Sequence, residues 1–244
     1  MRHVAAAVAS VALTSCGGSP PRQDPGPKVS AVPLTRVPVE DPGPDDGVQV
    51  TSAKGHMDPA AVEAGLAPHR AALTSCYTQK VGKRRWLGGH VLLRWEVAAD
   101  GEVTRVLLAD SDLGAWPVEK CVLDIARAAT FGKPIGGAAE LTLPLEFSAK
   151  GQPAVWDVEQ SAKAVGGQLA KLDACAKGKV AMPEEIAITV YVGSHGRAQS
   201  VGFASPSEAL DDAWAACAEK AALAWHLPDP RGQVTKLAVR YRPR

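Results

Sequence analysis

The sequence lacks an excess of charge of either sign. It has 27 lysines and arginines against 26 aspartates and glutamates, so its formal net charge is +1 at pH 7. An electrostatic field that attracts nucleic acid strongly needs a large excess of basic residues, and this sequence has none. Residues 80–86, KVGKRRW, form a local basic cluster that we interpret as a solvated helix end and loop rather than a phosphate-binding patch. We therefore expect no nucleic-acid partner.

The sequence also lacks the motifs of common catalytic and cofactor sites. It contains no Gly-rich phosphate loop, no nucleophile elbow and no Cys-x-x-Cys or Cys/His metal-ligand spacing. His90, His195 and His226 are scattered without such spacing. We therefore predict that the protein is not an enzyme and holds neither a cofactor nor a metal.

Two acidic clusters are the remaining candidates for catalysis. Asp110-Ser111-Asp112 combines carboxylates with a nucleophile, but it follows a predicted strand and precedes a predicted helix, where such residues serve as caps. Glu184-Glu185 is a carboxylate pair with no second partner, and we interpret it as a strand flank. Neither cluster indicates an active site.

The N-terminal apolar run is too short to cross a bilayer. It covers residues 4–14, VAAAVASVALT, after Met1-Arg2-His3, whereas a spanning helix needs ~20 apolar residues. A basic start, a short apolar run and small residues before a cleavage site are typical of a secretory signal. We predict that residues 1–15 are a signal peptide and that the protein is exported.

The end of this signal, Leu13-Thr14-Ser15-Cys16, resembles the lipobox of bacterial lipoproteins. In that family the cysteine is lipidated, which implies that Cys16 carries a membrane anchor in the cell envelope, facing the periplasm. The alternative is an ordinary secretory signal with an incidental cysteine. Of the two membranes of the envelope we expect the outer one, although no residue of the sequence distinguishes it from the inner one.

A segment rich in Pro, Gly, Asp and Ser follows this cysteine. Residues 16–57 lack apolar periodicity and cannot bury enough surface to offset the entropy of ordering. Proline density favours an extended chain. We predict a disordered tether that holds the folded part away from the membrane.

The rest of the chain contains a loose internal repeat. Residues 58–150 (unit one) and 151–244 (unit two) share the order cysteine, strand, turn, strand, cysteine, strand. Each unit has one strand with apolar residues at alternate positions: Val91, Leu93, Trp95 and Val97, and then Ile186, Ile188, Val190 and Val192. With helical spacing around both cysteines, each unit is predicted as helix–strand–strand–helix–strand. The predicted class is α+β, with a small three-stranded antiparallel sheet per unit and helices on one face.

Unit one resembles the TonB-like C-terminal domain found at the end of the myxobacterial AgmX/PglI proteins. The matching elements are a Cys-Tyr on the first helix, Asp-Gly after a strand, a cysteine on the second helix and Phe-x-x-Pro before the last strand: Cys76-Tyr77, Asp100-Gly101, Cys121, Phe131 and Pro134. Unit two departs at Ala176, His195 and Leu227 and is similar to a degenerate second copy. The resemblance implies a module that binds extended peptide segments of partner proteins.

Four cysteines remain after Cys16, two in each unit. If both helices of a unit pack on the same sheet face, the pairs Cys76–Cys121 and Cys175–Cys217 are neighbours. Because an exported protein folds in an oxidising compartment, we predict two disulfides within units rather than a metal site.

Three functions are compatible with these features. The protein is a lipid-anchored interaction module for an envelope protein or peptide, a purely structural envelope lipoprotein, or a TonB-type energy transducer. The last is disfavoured because such transducers carry a transmembrane anchor, whereas a cleaved signal is predicted here.

The resemblance places the third strand of each unit at a sheet edge, where a partner strand would add. In unit one this strand contains Pro144, which removes a donor. We therefore predict that unit two offers the better docking edge, on the strand formed by Thr235, Lys236, Leu237, Val239, Arg240 and Tyr241, with its two basic residues favouring an acidic partner. The alternative is that both edges are covered, either by the other unit or by the Pro-rich tether.

Overall fold

The computed structural model describes residues 49–51, 55–176 and 181–243, which all lie in one compact body, Pro44–Arg244. This part of the chain contains five α-helices and two four-stranded sheets. The predicted α+β class is confirmed.

The first sheet has the strand order β1-β4-β2-β3 and is antiparallel throughout. Its elements, in chain order, are β1 (Gln49–Thr51), α1 (Pro59–Leu66), α2 (Arg70–Lys80), β2 (Gly89–Val97), β3 (Val103–Ser111), α3 (Trp116–Arg127) and β4 (Ala139–Phe147).

The second sheet has the corresponding order β5-β8-β6-β7, in which β5 runs parallel to β8 and the other pairs are antiparallel. Its elements are β5 (Ala154–Val155), α4 (Val158–Val165), a 3₁₀ helix (Gly166–Cys175), β6 (Ile186–Val192), β7 (Ala198–Ala204), α5 (Asp212–Leu223) and β8 (Thr235–Tyr241). A single 3₁₀ turn, Ser194–Gly196, joins β6 to β7.

Local sequence explains how these elements form. The alternating apolar residues of β2 are all buried, because successive strand side chains point to opposite faces. α4 begins at a capping box in which Asp157 accepts from the N–H of Gln160 (2.8 Å) and the Gln160 side chain accepts from the N–H of Asp157 (3.1 Å). α5 begins where Asp211 caps the N–H of Trp214 (2.7 Å).

Both predicted disulfides are present. Cys76 and Cys121 join α2 to α3 with their Cα atoms 5.7 Å apart, and Cys175 and Cys217 join the 3₁₀ helix to α5 at 5.6 Å. In each unit the bond therefore links the helical segment just before the first strand of the hairpin to the helix that follows the hairpin.

The third strand of each unit is not at the edge of its sheet, contrary to the prediction. β1 pairs with residues 140–142 of β4, and β5 pairs with Thr235 and Lys236 of β8. Each sheet is thus a three-stranded antiparallel core with one short strand added outside its third strand. The added strands have only three and two residues, too few to produce a periodic signal in the sequence.

The folded part begins inside the segment that was predicted to be a tether. β1 lies within residues 16–57, Met57 is 2% exposed, and His56 exchanges two backbone hydrogen bonds with Ile135. Burial of Met57 supplies the apolar contact that the segment's composition does not suggest.

The first helix of unit two also differs from the prediction. The apolar spacing predicts one helix through Val165 and Cys175, but α4 ends at Val165 and the chain continues as the 3₁₀ helix. Gly166 adopts φ 47° at this junction, which ends the α-helix.

The two units pack together through the face of the second sheet that the helices of unit two leave uncovered, which we call the helix-free face. The hydroxyl of Tyr191 on that face donates to the carbonyl of Gly88 in unit one (2.8 Å). Gly114 lies over the same face with φ 66°, and a Cβ there would be 2.8 Å from the methyl carbon of Thr189. Burial raises the pKa of Tyr191 to about 12, so its hydroxyl stays a donor at neutral pH.

A buried carboxylate completes this packing at β7. Glu119 of α3 is 0% exposed and accepts hydrogen bonds from the N–H of Phe203 (2.9 Å) and the hydroxyl of Ser111 (2.7 Å). The N–H of Ser205 donates to the carbonyl of Leu108 in β3 (2.8 Å). Part of the edge of β3 and part of the edge of β7 are therefore occupied by the other unit.

Candidate functional site

The outer edge of β8 is only partly covered. The backbone N–H of Trp156, directly after β5, donates to the carbonyl of Lys236 (3.0 Å). The chain then turns into α4. Among the described residues, no strand lies beside β8 beyond this point. We call the outer edge of residues 238–240 the open edge.

Backbone groups of Ala238 and Arg240 point to the open edge. Along a strand in a sheet, successive residues direct their N–H and C=O groups to alternate sides. Lys236 directs its carbonyl to β5, so Ala238 and Arg240 face the same way, whereas Val239 pairs with Ile188 of β6. Both outward-facing residues are exposed. The open edge therefore offers two donors and two acceptors.

A groove of about 500 Å³ runs along the open edge, and one of its walls is apolar. Val158 and Ala162 of α4 and Leu169 of the 3₁₀ helix line this wall. Val158 is 83% exposed, and Val155 of the adjoining β5 is 71% exposed. They are two of the four large apolar side chains that the described part of the chain exposes, so apolar exposure is concentrated beside this edge.

The opposite wall of the groove comes from unit one and is polar. His90 lies between two carboxylates, with Nε2 3.0 Å from Asp110 and Nδ1 3.0 Å from Asp112. Burial lowers the pKa of His90, but the hydrogen bond to Asp110 and the nearby negative charges outweigh it and raise that pKa overall.

Lys236 connects this wall to β8. Its ammonium lies 2.8 Å from the carboxylate of Asp112, and burial leaves its side chain 14% exposed. Burial raises the pKa of Asp112, but hydrogen bonds from Lys236 and from the N–H of His90 lower it overall. The groove is thus built by both units together.

Three of the six predicted docking residues face the core. Thr235, Leu237 and Tyr241 are at most 3% exposed, and the hydroxyl of Tyr241 bonds to Asp173. Val239 is half-buried on the same face and lines the groove. These side chains hold β8 in place, and of the four only Val239 lines the groove.

The two basic residues of the predicted edge already have acidic partners. Lys236 is paired with Asp112, and Arg240 lies 2.9 Å from Glu185. The charge of Lys236 is therefore offset within the protein, whereas the side chain of Arg240 is 62% exposed and shares Glu185 with Arg242.

Sequence reasoning missed the walls of the groove. The sequence suggests Asp110 and Asp112 as catalytic candidates or helix caps rather than as the wall of a groove, and Ala162 of α4 gives no signal. The one available hint was Val158 itself, an apolar residue at the exposed start of a helix.

The hydroxyl of Ser111, in the acid–nucleophile cluster, is hydrogen-bonded within unit one. It donates to Glu119 and accepts from the N–H of Leu113 (3.2 Å). Ser111 is not the N-cap of α3, where Ala115 holds that position. The side chain instead joins β3 to the buried carboxylate.

Within the described residues, no group of three or more His, Cys, Asp or Glu side chains is placed to hold a metal ion. No helix in that part of the chain is both long and apolar enough to span a membrane. The predicted signal peptide and Cys16 lie outside the described residues.

Comparison with known proteins found no matching family model, no matching curated protein and no matching solved structure.

Proposed function

We propose that this protein is a non-enzymatic envelope lipoprotein whose two TonB-like units act together as a protein-interaction module. Cys16 carries the lipid anchor, and the segment after it tethers the folded part. An extended segment of an envelope protein binds along the open edge.

The open edge is the observation that carries this proposal. Unpaired N–H and C=O groups in a row are a template for another strand, and proteins use such edges to bind extended peptides. The exposed stretch of β8 combines these groups with a groove and with exposed apolar side chains. The TonB-like resemblance of the sequence independently implies the same binding mode.

The location differs from the one expected from the sequence alone. β5 leaves room for a segment only beside residues 238–240. A bound strand would lie between α4 of unit two and the His90 wall of unit one, so neither unit would form the site alone.

A purely structural lipoprotein is the second candidate. The observation in its favour is that β1 and β5 each cover part of a third strand, as protective short strands do in other sheets. Partner capture at the groove distinguishes the two.

The test is site-specific photocrosslinking in the envelope of the organism that makes the protein. A photoreactive residue replaces Ala162 on the apolar wall, and in a second strain it replaces Glu102, which is exposed beyond the far end of β2. We expect a covalent adduct with a partner protein from position 162 and none from position 102.

Ala238→Pro then tests the binding mode. It removes one outward N–H without breaking the pairing to β6, and proline is tolerated where the N–H faces away from the sheet. The unmade bond should reduce the adduct by about tenfold, while Ala238→Ser leaves it intact. No adduct from position 162 in the folded protein would contradict the proposal.

A further inference from the structure

We infer that the groove selects an amphipathic extended segment carrying a lysine or arginine, with apolar side chains toward α4 and the basic side chain toward Asp110. This inference rests on the proposed function, because it names the kind of segment that binds at the same open edge.

The two walls of the groove lie on opposite faces of the second sheet. By register, Ala238 and Arg240 share the helix-free face with Thr189 and Ala187, and Lys236 on that face reaches Asp112. The His90 wall therefore lies on the helix-free side, and α4 with the 3₁₀ helix lies on the other.

A strand added at the open edge would place alternate side chains toward the two walls. Successive side chains of a strand point to opposite faces of the sheet. Those on the helix side would meet Val158, Ala162 and Leu169, which are apolar. Those on the helix-free side would meet His90 and Asp110. An amphipathic alternation in the bound segment follows from this geometry.

The sign of the bound charge follows from the ion pairs already present. Asp112 is paired with Lys236, whereas Arg240 shares Glu185 with Arg242 near the C-terminal end of β8. Asp110 is 54% exposed, and His90 is its one ion-pair partner among the described residues. His90 is shared by Asp110 and Asp112, and Glu146 lies opposite His90 in β4. The three carboxylates on this wall outnumber the two cationic side chains near them, His90 and Lys236, so the His90 wall is negative. A lysine or arginine complements it.

The test uses three blocked synthetic heptapeptides: Ala-Lys-Val-Lys-Val-Lys-Ala, the same peptide with Glu in place of Lys, and the same peptide with Ser. Binding to the full folded chain is followed by NMR through the amide shifts of Ala238 and Arg240. We expect the Lys peptide to bind about two- to fivefold more tightly than the Glu peptide, the range of a partly exposed ion pair.

Two variants test whether Asp110 causes the preference for the Lys peptide over the Glu peptide. Asp110→Asn should abolish it, whereas Glu102→Gln, a matched loss of one carboxylate beyond the far end of β2, should retain it. Equal binding of the Lys and Glu peptides to the wild type, or a preference that survives Asp110→Asn, would overturn this inference and leave strand binding intact. If no peptide shifts the two amides, strand binding at the open edge is itself wrong and both proposals fall.

Discussion

The backbone N–H of Phe203 in unit two donates to the carboxylate of Glu119 in unit one, at 2.9 Å and with the carboxylate fully buried. The bond crosses between the two units at β7, beside the hydroxyl of Ser111. Because both walls of the groove depend on how the units are held together, this contact bears on the proposed site although it lies outside it.

Stability should fall as Glu119 ionises. Burial raises the pKa of Glu119 from its ordinary 4.5 to about 7, against the opposing effect of its hydrogen bonds. A carboxyl group whose pKa is higher in the folded than in the unfolded protein contributes its full stabilisation at a pH below its unfolded pKa. This contribution is lost as the pH rises through its folded pKa. The difference between these two pKa values corresponds to about 3 kcal/mol in the free energy of unfolding.

This prediction is measured by urea unfolding at intervals between pH 4.5 and 8 for the wild type and for Glu119→Gln. The wild type should lose stability relative to the variant as pH rises. Parallel pH profiles for the two proteins would show that Glu119 does not titrate in this range.

Gly202 should not tolerate a side chain. A Cβ at this position would collide with the carboxylate of Glu119 and lie 2.7 Å from the backbone nitrogen of Ala115. We expect Gly202→Ala to cost about 1–3 kcal/mol in the free energy of unfolding, the usual range for overpacking. Gly167→Ala is the matched control, because an added Cβ there meets nothing within 4 Å. Equal stability of both variants would mean that the units do not pack as described.

The disulfides should each contribute about 4 kcal/mol, since they close loops between residues 45 and 42 positions apart. Removing the second with Cys175→Ala and Cys217→Ala together should lower the urea midpoint strongly. Peptide mapping without reductant should link Cys76 to Cys121 and Cys175 to Cys217. A cross-link between Cys76 and Cys175 would contradict the two-unit fold.

Lipidation is predicted at Cys16. Acyl chains contribute ~0.8 kcal/mol per buried CH₂, so a multiply acylated protein stays on the membrane. The wild type should incorporate labelled palmitate and fractionate with membranes, and Cys16→Ser should do neither. Label in the variant, or a fully soluble wild type, would disprove this assignment.

The parts of the fold that were predictable are those with local periodic signals. β2 and β6 alternate between apolar and other residues, and the cysteines recur at matching places in both units. β1 and β5 were missed because strands of three and two residues have no measurable period. Their positions outside β4 and β8 decide which edge stays open.

The groove was not predictable because it depends on contacts between distant residues. Lys236 and Asp112 are 124 positions apart, and only the packing of the two units brings them to 2.8 Å. Likewise, the sequence does not give the pairing register of β8. It therefore does not reveal that Ala238 and Arg240, rather than Val239, direct their backbone groups outward.

Amide hydrogen exchange of three consecutive residues of β8 shows whether a partner strand binds at the open edge. Exchange rates at Ala238, Val239 and Arg240 are measured by NMR for the protein alone and with the partner captured by crosslinking. We expect Ala238 and Arg240 to exchange at least about tenfold more slowly in the complex, since each gains a hydrogen bond worth roughly 1 kcal/mol and loses contact with water. Val239, already bonded to β6, should change little. Unchanged exchange at Ala238 and Arg240 in the saturated complex would show that no strand binds at the open edge.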